Sequence, residues 1–330
     1  MSRDSRWRLA AVLAVMLLGA CSGMPVALDP HGSNARQTAR IAWVLLWGGA
    51  SIFALVMALV AYAILESPTR RAWLGRRAFV IGAGIVFPVA ALSALLFYTL
   101  TVFGVLASSR GAAPLRIEIV GQMWWWRVRY LDADGATVLV TANEMHIPVG
   151  RTIEFALESA DVLHSFWVPN LGGKLDLIPG RVNVLRLDAD RTGVFRGQCA
   201  EYCGAQHAKM AFYVVAHTAA EFDAWLAAQR LPGNAPRTPA LQRGRALFIA
   251  NCAGCHTVRG TAAMGELGPD LTHVGSRRSI GAGALPNNVG TIAGWIAASQ
   301  HIKPENAMPS FDGFSGEELG VLAAYLESLK

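Results

Sequence analysis

Two long uncharged runs of hydrophobic residues stand in the first third of the chain. Residues 41–65 contain no charged side chain, and residues 78–107 form a second such run with Pro88 inside it. As an α-helix, the first run would be about 37 Å long, which exceeds the roughly 30 Å hydrocarbon core of a bilayer. Both runs therefore predict transmembrane helices, the second one kinked at its proline.

A shorter apolar run, Leu9–Leu18, follows three arginines at the start of the chain. This order is typical of a secretory signal, predicted over residues 1–20. The run ends in Leu18-Gly19-Ala20-Cys21, which resembles a bacterial lipobox and predicts cleavage followed by lipidation of Cys21. The alternatives are an ordinary signal peptide cut nearby and an uncleaved anchor.

Four arginines, at positions 70, 71, 76 and 77, lie between the two predicted transmembrane helices. Positively charged loops stay in the cytoplasm, so both ends of a helical hairpin over residues 41–109 are predicted to face outward. An N-terminal segment over residues 21–40 and everything after residue 109 then lie on the periplasmic or outer side of the membrane.

An alternating pattern of apolar and polar residues begins at Leu115 and continues to about Ala216. Its short runs are bounded by Gly, Asp and Pro, which is typical of strands in a β-sandwich or barrel. A short helix is predicted over residues 219–229, so the all-β domain covers residues 110–230. Residues 231–240 contain three prolines and a glycine, which predicts a semi-rigid linker.

Composition and charge agree with a membrane protein. Hydrophobic residues make up 53% of the chain and charged residues only 16%, with a net charge of +6. Residues 1–109 hold nine arginines against three acidic residues, so the excess charge belongs to the membrane portion. No basic surface is left in the later domains, and nucleic-acid binding is not indicated.

A cluster of candidate metal ligands lies between Gln198 and Met210. Cys199 and Cys203 are four residues apart, and His207 and Met210 follow within seven more. Soft thiolate and thioether ligands beside an imidazole suit copper. Two thiolates can bridge two copper ions if a second histidine, a thioether and a main-chain carbonyl complete the set. His164 is the best upstream candidate for that histidine.

Two simpler interpretations of this cluster stay open. The cysteines could form a disulfide, or they could join His164 and His207 in a structural zinc site. The additional methionine and the β-rich surroundings favour copper.

The last ninety residues, 241–330, contain a haem attachment signature. Cys252-Ala253-Gly254-Cys255-His256 has the spacing that forms thioethers to haem c, with His256 as the proximal iron ligand. Half a zinc site is the alternative. Met308 is the predicted distal ligand, and Met264 is a competitor that lies too near the signature. A final helix over residues 317–329 is predicted to pack on the helix before the signature.

Two blocks of sequence carry a specific family resemblance. Residues 164–181, HSFWVPNLGGKLDLIPGR, and residues 199–210, CAEYCGAQHAKM, resemble subunit II of the haem-copper cytochrome c oxidases. The resemblance implies a cupredoxin sandwich with a binuclear CuA centre. The implied side-chain ligands are His164, Cys199, Cys203, His207 and Met210, and Glu201 is implied to bind through its carbonyl oxygen. Residues 241–330 resemble class I cytochromes c.

Three further implications follow from that resemblance. The carboxylate of Glu201 is implied to reach a magnesium ion at the subunit I interface. Trp124 matches the surface tryptophan through which electrons enter CuA, although Arg127 and Arg129 stand where animal relatives have acidic residues. Ile81 occupies the position of a glutamate at the mouth of a proton path, so that entrance would use another group, such as Glu66.

These expectations combine into one fold and function. The chain is expected to be a multidomain membrane protein with a two-helix transmembrane hairpin, an all-β cupredoxin sandwich and an all-α cytochrome c domain. As subunit II of a bacterial cytochrome c oxidase in the inner membrane, it would pass electrons from haem c to CuA. Subunit I would receive them, reduce oxygen and pump protons.

Partners and alternatives complete the prediction. Expected partners are subunits I and III, and a donor that is either cytochrome c or a quinol–cytochrome c reductase complex. Within electron transfer, the alternative is the CuA-bearing subunit of a nitric oxide reductase. From a different class, the alternative is a free-standing copper-binding lipoprotein.

Overall fold

The computed structural model describes residues 27–108 and 115–330, which belong to two compact units. One unit comprises Arg36–Ala112, and the other comprises the chain up to Ala35 together with Ala113–Lys330. The predicted signal over residues 1–20 and the predicted lipidation site Cys21 lie outside the described residues.

Helices account for the membrane unit. They are α1 (Ser33–Leu65), α2 (Pro68–Arg71), a 3₁₀ turn (Ala72–Gly75), α3 (Arg77–Ile81), a π-helical turn (Gly82–Val86) and α4 (Phe87–Ser108). Ser33–Leu65 and Arg77–Val102 are each long and apolar enough to cross a bilayer. The first helix begins eight residues before the uncharged run. Residues 33–40, the last eight of the predicted segment over residues 21–40, are therefore helical, since charged side chains can continue a helix beyond the hydrocarbon core.

The π-helical turn has a local cause. Pro88 has no N–H to donate to the carbonyl of Gly84, and its ring would collide with that carbonyl in a regular α-helix. One wider turn relieves this collision, and the π-turn Gly82–Val86 ends two residues before the proline. The irregularity predicted at Pro88 thus takes the form of a π-turn in an otherwise continuous apolar helix.

Residues 115–229, called the β-domain below, form two five-stranded sheets. The strands are β1 (Leu115–Gln122), β2 (Trp125–Leu131), β3 (Thr137–Ala142), β4 (Glu144–Pro148), β5 (Ile153–Ser159), β6 (His164–Trp167), β7 (Leu175–Leu177), β8 (Asn183–Leu187), β9 (Gly193–Cys199) and β10 (Ala211–His217). One sheet has the strand order β3-β2-β1-β5-β8 and the other β4-β10-β9-β6-β7.

Alternating burial along the strands builds the core between the two sheets. Strand β2 alternates half-buried and buried positions, and Trp126 is fully buried. Its ring meets Phe166 and Phe212 edge-on, with centroids 6.0 and 5.1 Å away. Helix α5 (Ala219–Gln229) closes the domain, and a reciprocal pair of hydrogen bonds between Thr218 and Glu221 caps it.

Residues 239–330, called the C-terminal module below, are mainly helical. Their elements are α6 (Pro239–Asn251), β11 (Ser279–Ile280), β12 (Leu285–Pro286), α7 (Val289–Ile302) and α8 (Gly316–Ser328). Helices α6 and α8 cross at Gly244, where a Cβ atom would lie only 2.1 Å from the Val321 carbonyl oxygen. The predicted packing of the last helix on the first is confirmed.

The connection between the β-domain and the C-terminal module is held along the module's surface. Gly233 N–H donates to the Arg259 carbonyl over 3.0 Å, and the Asn234 amide donates to the Lys330 carbonyl over 3.2 Å. Helix α6 already begins at Pro239, so the last two residues of the predicted linker are helical.

Candidate copper and haem sites

The candidate copper ligands converge because neighbouring strands end together. Strand β6 starts at His164, and β9, its antiparallel partner, ends at Cys199. Residues 199–210, called the copper loop below, then lead into β10. Cys199 N–H donates to the Met210 carbonyl over 2.9 Å, so the two ends of the loop close on each other. The loop is therefore fixed by the strands on both sides of it.

Four further donor atoms surround the two cysteine sulfurs. The Sγ atoms of Cys199 and Cys203 are 3.7 Å apart. Nδ1 of His164 lies 3.9 Å from the first sulfur, and Nδ1 of His207 lies 3.6 Å from the second. The remaining two are weaker donors: the Glu201 carbonyl oxygen lies 3.2 Å from Cys199 Sγ, and the Met210 sulfur lies 3.8 Å from Cys203 Sγ.

This arrangement separates the three interpretations of the cluster. A disulfide needs sulfurs about 2.05 Å apart, and these lie 3.7 Å apart. One tetrahedral zinc ion uses four ligands, which would leave the carbonyl and the thioether without a role. Two bridging sulfurs, each flanked by one imidazole and one weak donor, instead fit a pair of soft metal ions such as copper.

The electrostatics of the cysteine pair favour one thiolate. The hydrogen bond between the two cysteine side chains lowers the pKa of Cys199, and the His164 ring contributes in the same direction. The same hydrogen bond raises the pKa of Cys203, because the pair shares one proton. Thiolates are the metal-binding form of cysteine, so the first sulfur is prepared for a cation.

A carboxylate orients the buried histidine ligand. Asp161 Oδ1 lies 2.7 Å from His164 Nε2, and its other oxygen accepts the Met123 N–H over 2.6 Å. A proton held on Nε2 leaves Nδ1 free to face Cys199, which is the arrangement a metal-binding imidazole needs. Asp161 therefore connects the histidine to the segment that carries Trp124.

The carboxylate of Glu201 points away from the sulfurs. It accepts a hydrogen bond from Lys174 Nζ over 3.0 Å, and Asp176 binds the same ammonium group over 3.3 Å. Within residues 27–108 and 115–330, the group of side chains that could converge on a metal ion is His164, Cys199 and Cys203. The structure thus pairs Glu201 with a lysine, and it supplies no support for magnesium there.

The predicted haem-binding residues line one cavity of about 410 Å³ in the C-terminal module. Cys252, Cys255 and His256 lie on its wall, and Met308 faces the same cavity. Met264, the competing methionine, is 80% exposed and does not contribute to the lining. The donor set and the apolar lining fit a covalently attached haem with one histidine and one methionine ligand.

Residues 268–271, GPDL, explain the orientation of the predicted proximal ligand. Nδ1 of His256 lies 2.8 Å from the Pro269 carbonyl oxygen, so the proton on Nδ1 leaves Nε2 free for iron. A Cβ at Gly268 would lie 2.5 Å from the imidazole, so only glycine lets the chain pass this close. Burial lowers the pKa of His256, which favours the neutral, metal-binding form.

Trp124 lies between the two candidate sites. Its indole Nε1 donates to the Cys203 carbonyl over 2.7 Å, and Trp124 also lines the haem cavity. Trp124 matches a surface tryptophan of the family, and here it is only 6% exposed because the C-terminal module covers it. Trp126 is a core residue, and half-buried Trp125 stacks under the Arg127 guanidinium at 5.3 Å.

Sequence reasoning missed two residues at these sites. Asp161 stands three positions before His164. A carboxylate so close in sequence to a candidate ligand is a signal that could have predicted its supporting role. Lys303 gave no local signal, because the groups that surround its ammonium come from distant parts of the chain.

Two family models match parts of the chain. Residues 128–217 match the family described as cytochrome c oxidase subunit II, periplasmic domain, and residues 241–330 match the cytochrome c family. These matches cover the β-domain with its copper loop and the C-terminal module with its haem signature. Together with two apolar helices, they define a membrane-anchored electron-transfer protein with an extracytoplasmic redox portion.

Individual relatives agree with the family models. The chain is 41% identical over 221 residues to cytochrome c oxidase subunit 2 of Alkalihalophilus pseudofirmus, covering 67% of this chain and 63% of that protein. It is 31% identical over 227 residues to the same subunit of Bacillus subtilis, covering 66% and 62%. The aligned part thus spans somewhat less than two thirds of these relatives. The chain belongs to the cytochrome c oxidase subunit II family and carries a C-terminal cytochrome c domain.

A solved structure covers the β-domain. The periplasmic domain of subunit II of cytochrome oxidase from Bradyrhizobium japonicum is 34% identical, with a TM-score of 0.33, and the match covers 36% of this chain and 96% of that one.

Proposed function

We propose that this chain is the electron-transfer subunit II of a bacterial cytochrome c oxidase. It would pass electrons from its own haem c to a binuclear CuA centre and then to subunit I, which reduces oxygen and pumps protons. The observation that carries the proposal is the position of Trp124, which borders the haem cavity and is hydrogen-bonded to the Cys203 carbonyl. The relatives' shared name favours an oxygen reductase over a nitric oxide reductase or a free copper-binding lipoprotein.

The residues of the chain have distinct tasks in this proposal. When bound, copper and haem c supply two one-electron redox centres. Cys199 and Cys203 would bridge the copper pair, with His164, His207, Met210 and the Glu201 carbonyl completing its ligands. Cys252 and Cys255 would hold the haem covalently, and His256 and Met308 would be its axial ligands. Asp161 fixes which nitrogen His164 offers, and the Pro269 carbonyl does the same for His256.

The position of Trp124 also restricts where an external donor can bind. In related oxidases without a fused cytochrome, the matching tryptophan is expected at the surface. Here the C-terminal module covers it, leaving 6% of the residue exposed. An external cytochrome c, or a quinol–cytochrome c reductase complex, would therefore deliver electrons to the C-terminal module instead of to the β-domain.

Several finer assignments belong to the same proposal. The complex would lie in the bacterial inner membrane with subunits I and III, and the redox domains would face the periplasm. The mature chain would begin at a lipidated Cys21, which the intact mass of the purified subunit tests. Magnesium at the subunit I interface would require Glu201 to exchange its partner Lys174 for the ion.

Photoreduction of the full-length chain tests the proposal directly. The copper- and haem-loaded protein in detergent is reduced at the haem by a light pulse without oxygen, and the CuA absorption band is followed over a dilution series. A tethered donor reacts intramolecularly, so the rate is expected to be independent of protein concentration. Absence of copper reduction, or a rate proportional to concentration, would contradict intramolecular transfer within one chain.

A further inference from the structure

The strongest unassigned feature of the molecule is a buried lysine between the two redox sites. Lys303, just after helix α7, is 3% exposed. Its ammonium donates to the carbonyl oxygens of Trp124, Lys209 and Gly281 over 2.6, 2.8 and 3.2 Å. In the described part of the chain, no carboxylate forms an ion pair with it. Three carbonyls thus satisfy the three N–H groups of one buried ammonium.

The three carbonyls come from the three segments whose positions decide the distance between the redox sites. Trp124 borders the haem cavity and contacts the copper loop. Lys209 belongs to the copper loop itself, one residue before Met210. Gly281 starts the turn of the C-terminal module that packs on that loop. Lys303 therefore contacts all three of these segments.

Further contacts around Lys303 show that this interface is closely fitted. Ala211 N–H, directly after the copper loop, donates to the Ala282 carbonyl over 2.9 Å. Lys209 Nζ donates back to the Ile302 carbonyl over 2.6 Å. A Cβ at Gly283, which has φ +78°, would lie 2.9 Å from the Ala211 Cβ, so the turn can approach only without a side chain.

Burying a lysine without a carboxylate is costly, so its ammonium needs specific partners at this position. Burial lowers the pKa of Lys303 to about 7. The carbonyls offset that cost only in the assembled interface, because they come from different parts of the chain. A methionine of similar length would fill the same space and avoid the cost of burying a charge. Stability alone therefore does not explain an ammonium group at this position.

We propose that Lys303 is a positioning residue that fixes Trp124 and the copper loop against the C-terminal module for electron transfer between the two redox sites. The inference rests on the proposed function, since it assumes transfer from haem c to CuA. Its ammonium group holds the three segments at one separation, and the rate of transfer depends on that separation.

Lys303→Met tests this role in the full-length, copper- and haem-loaded chain. The photoreduction experiment is expected to give transfer about 10- to 100-fold slower than in the unmodified chain, as for other small misplacements of reacting groups. The rate should also become dependent on solvent viscosity, because the module must now find its position by diffusion. Lys303→Arg keeps the charge and several donors and should recover part of the rate. Lys330→Met, which removes an exposed lysine of the same module, is the matched control and should change nothing.

Two further measurements separate positioning from folding and from electrostatics. Hydrogen exchange is expected to show faster exchange at the Ala211 amide in Lys303→Met, and this readout does not require electron transfer. Redox titration should give unchanged potentials for both centres. A shift in the copper potential large enough to explain the slower rate would overturn the positioning role. So would a rate within about twofold of the unmodified chain with no viscosity dependence.

The outcomes also distinguish this inference from the proposed function. If the unmodified chain shows no transfer from haem to copper, the proposed function fails. If it shows transfer and Lys303→Met transfers equally fast, only the role of Lys303 fails. Should Lys303→Met lose either metal spectrum, Lys303→Arg provides the decisive comparison. A slower, viscosity-dependent transfer rate in Lys303→Arg with both metal spectra intact would support positioning, and a rate equal to that of the unmodified chain would overturn it.

Discussion

The copper loop and the haem cavity hold their ligands in opposite ways. In the copper loop, Cys199, Cys203 and Met210 are at most 4% exposed, and Cys203 Sγ lies 3.7 Å from Cys199 Sγ and 3.8 Å from the Met210 sulfur. Strand ends and main-chain hydrogen bonds fix these ligands. In the C-terminal module, the corresponding residues instead line a cavity of about 410 Å³.

The difference lies in what fills the middle of each site. Two metal ions add little volume to the β-domain, whose core is complete around Trp126 and Phe212. The cavity of the C-terminal module is lined by core residues such as Val274, Ile292 and Leu326. A cofactor there completes the hydrophobic core as well as providing a redox centre. The copper site is thus preorganised by the protein, whereas the haem site requires its cofactor for packing.

Removal of the haem attachment should have the largest effect. The double change Cys252→Ala and Cys255→Ala leaves the apolar cavity without its covalent occupant, so the C-terminal module should lose its compact fold. Limited proteolysis is expected to degrade residues 239–330 while the β-domain persists. The copper spectrum should survive in the same protein. A protease-resistant C-terminal module without haem would contradict the role of the cofactor in its core.

Cys203→Ser should have the next largest effect, confined to the other site. One thiolate cannot bridge two copper ions, so electron paramagnetic resonance should lose the pattern of one electron shared between two copper nuclei. The β-domain should remain folded, because serine is close in size to cysteine and the packing around Trp126 and Phe212 is unchanged. The haem spectrum is the internal control. Retention of a shared-electron signal would show that Cys203 is not a bridging ligand.

Met308→Leu should have a smaller effect, and Met264→Leu is its matched control. The thioether stabilises ferrous iron, so its loss should lower the haem potential by roughly 0.1 V or more, within the roughly 0.8 V range that axial ligands cover. The optical spectrum should shift as the distal position opens. Met264 is 80% exposed, and the same change there should leave potential and spectrum unchanged. An altered Met264→Leu spectrum with a normal Met308→Leu spectrum would reverse the assignment.

Sequence reasoning succeeded where the chemistry is local. The residues Cys199 to Met210 and Cys252 to His256 lie in short segments, so their spacing already limits which metals or cofactors fit. The apolar runs likewise predict two long helices, because length and composition decide whether a helix can span a bilayer. Pro88 predicts an irregularity at its own position for a steric reason that needs no tertiary information.

Sequence reasoning failed where distant segments meet. Trp124 matches a surface tryptophan of the family, and its burial here depends on contacts with the C-terminal module that no local pattern predicts. Lys303 carries no recognisable pattern, since its three carbonyl partners lie on separate segments. The start of α1 at Ser33 was missed because hydropathy marks the part of a helix inside a bilayer, whereas the helix itself continues through polar residues.

Asp161 offers the finest test of the contrast between the two sites. Asp161→Ala removes the acceptor at His164 Nε2 and releases the Met123 N–H, so the imidazole loses its fixed orientation. Changes of such supporting partners typically weaken metal binding by about 10- to 100-fold. Asp161→Asn keeps an acceptor oxygen and should lose less. Copper affinity is measured by competition with a chelator, with the haem spectrum as control.

If the β-domain preorganises its ligands through hydrogen bonds, the Asp161→Ala protein should bind copper more weakly than the Asp161→Asn protein. Equal losses in both variants would instead assign the effect to the negative charge of the carboxylate, and no loss in either would show that strand geometry alone orients His164.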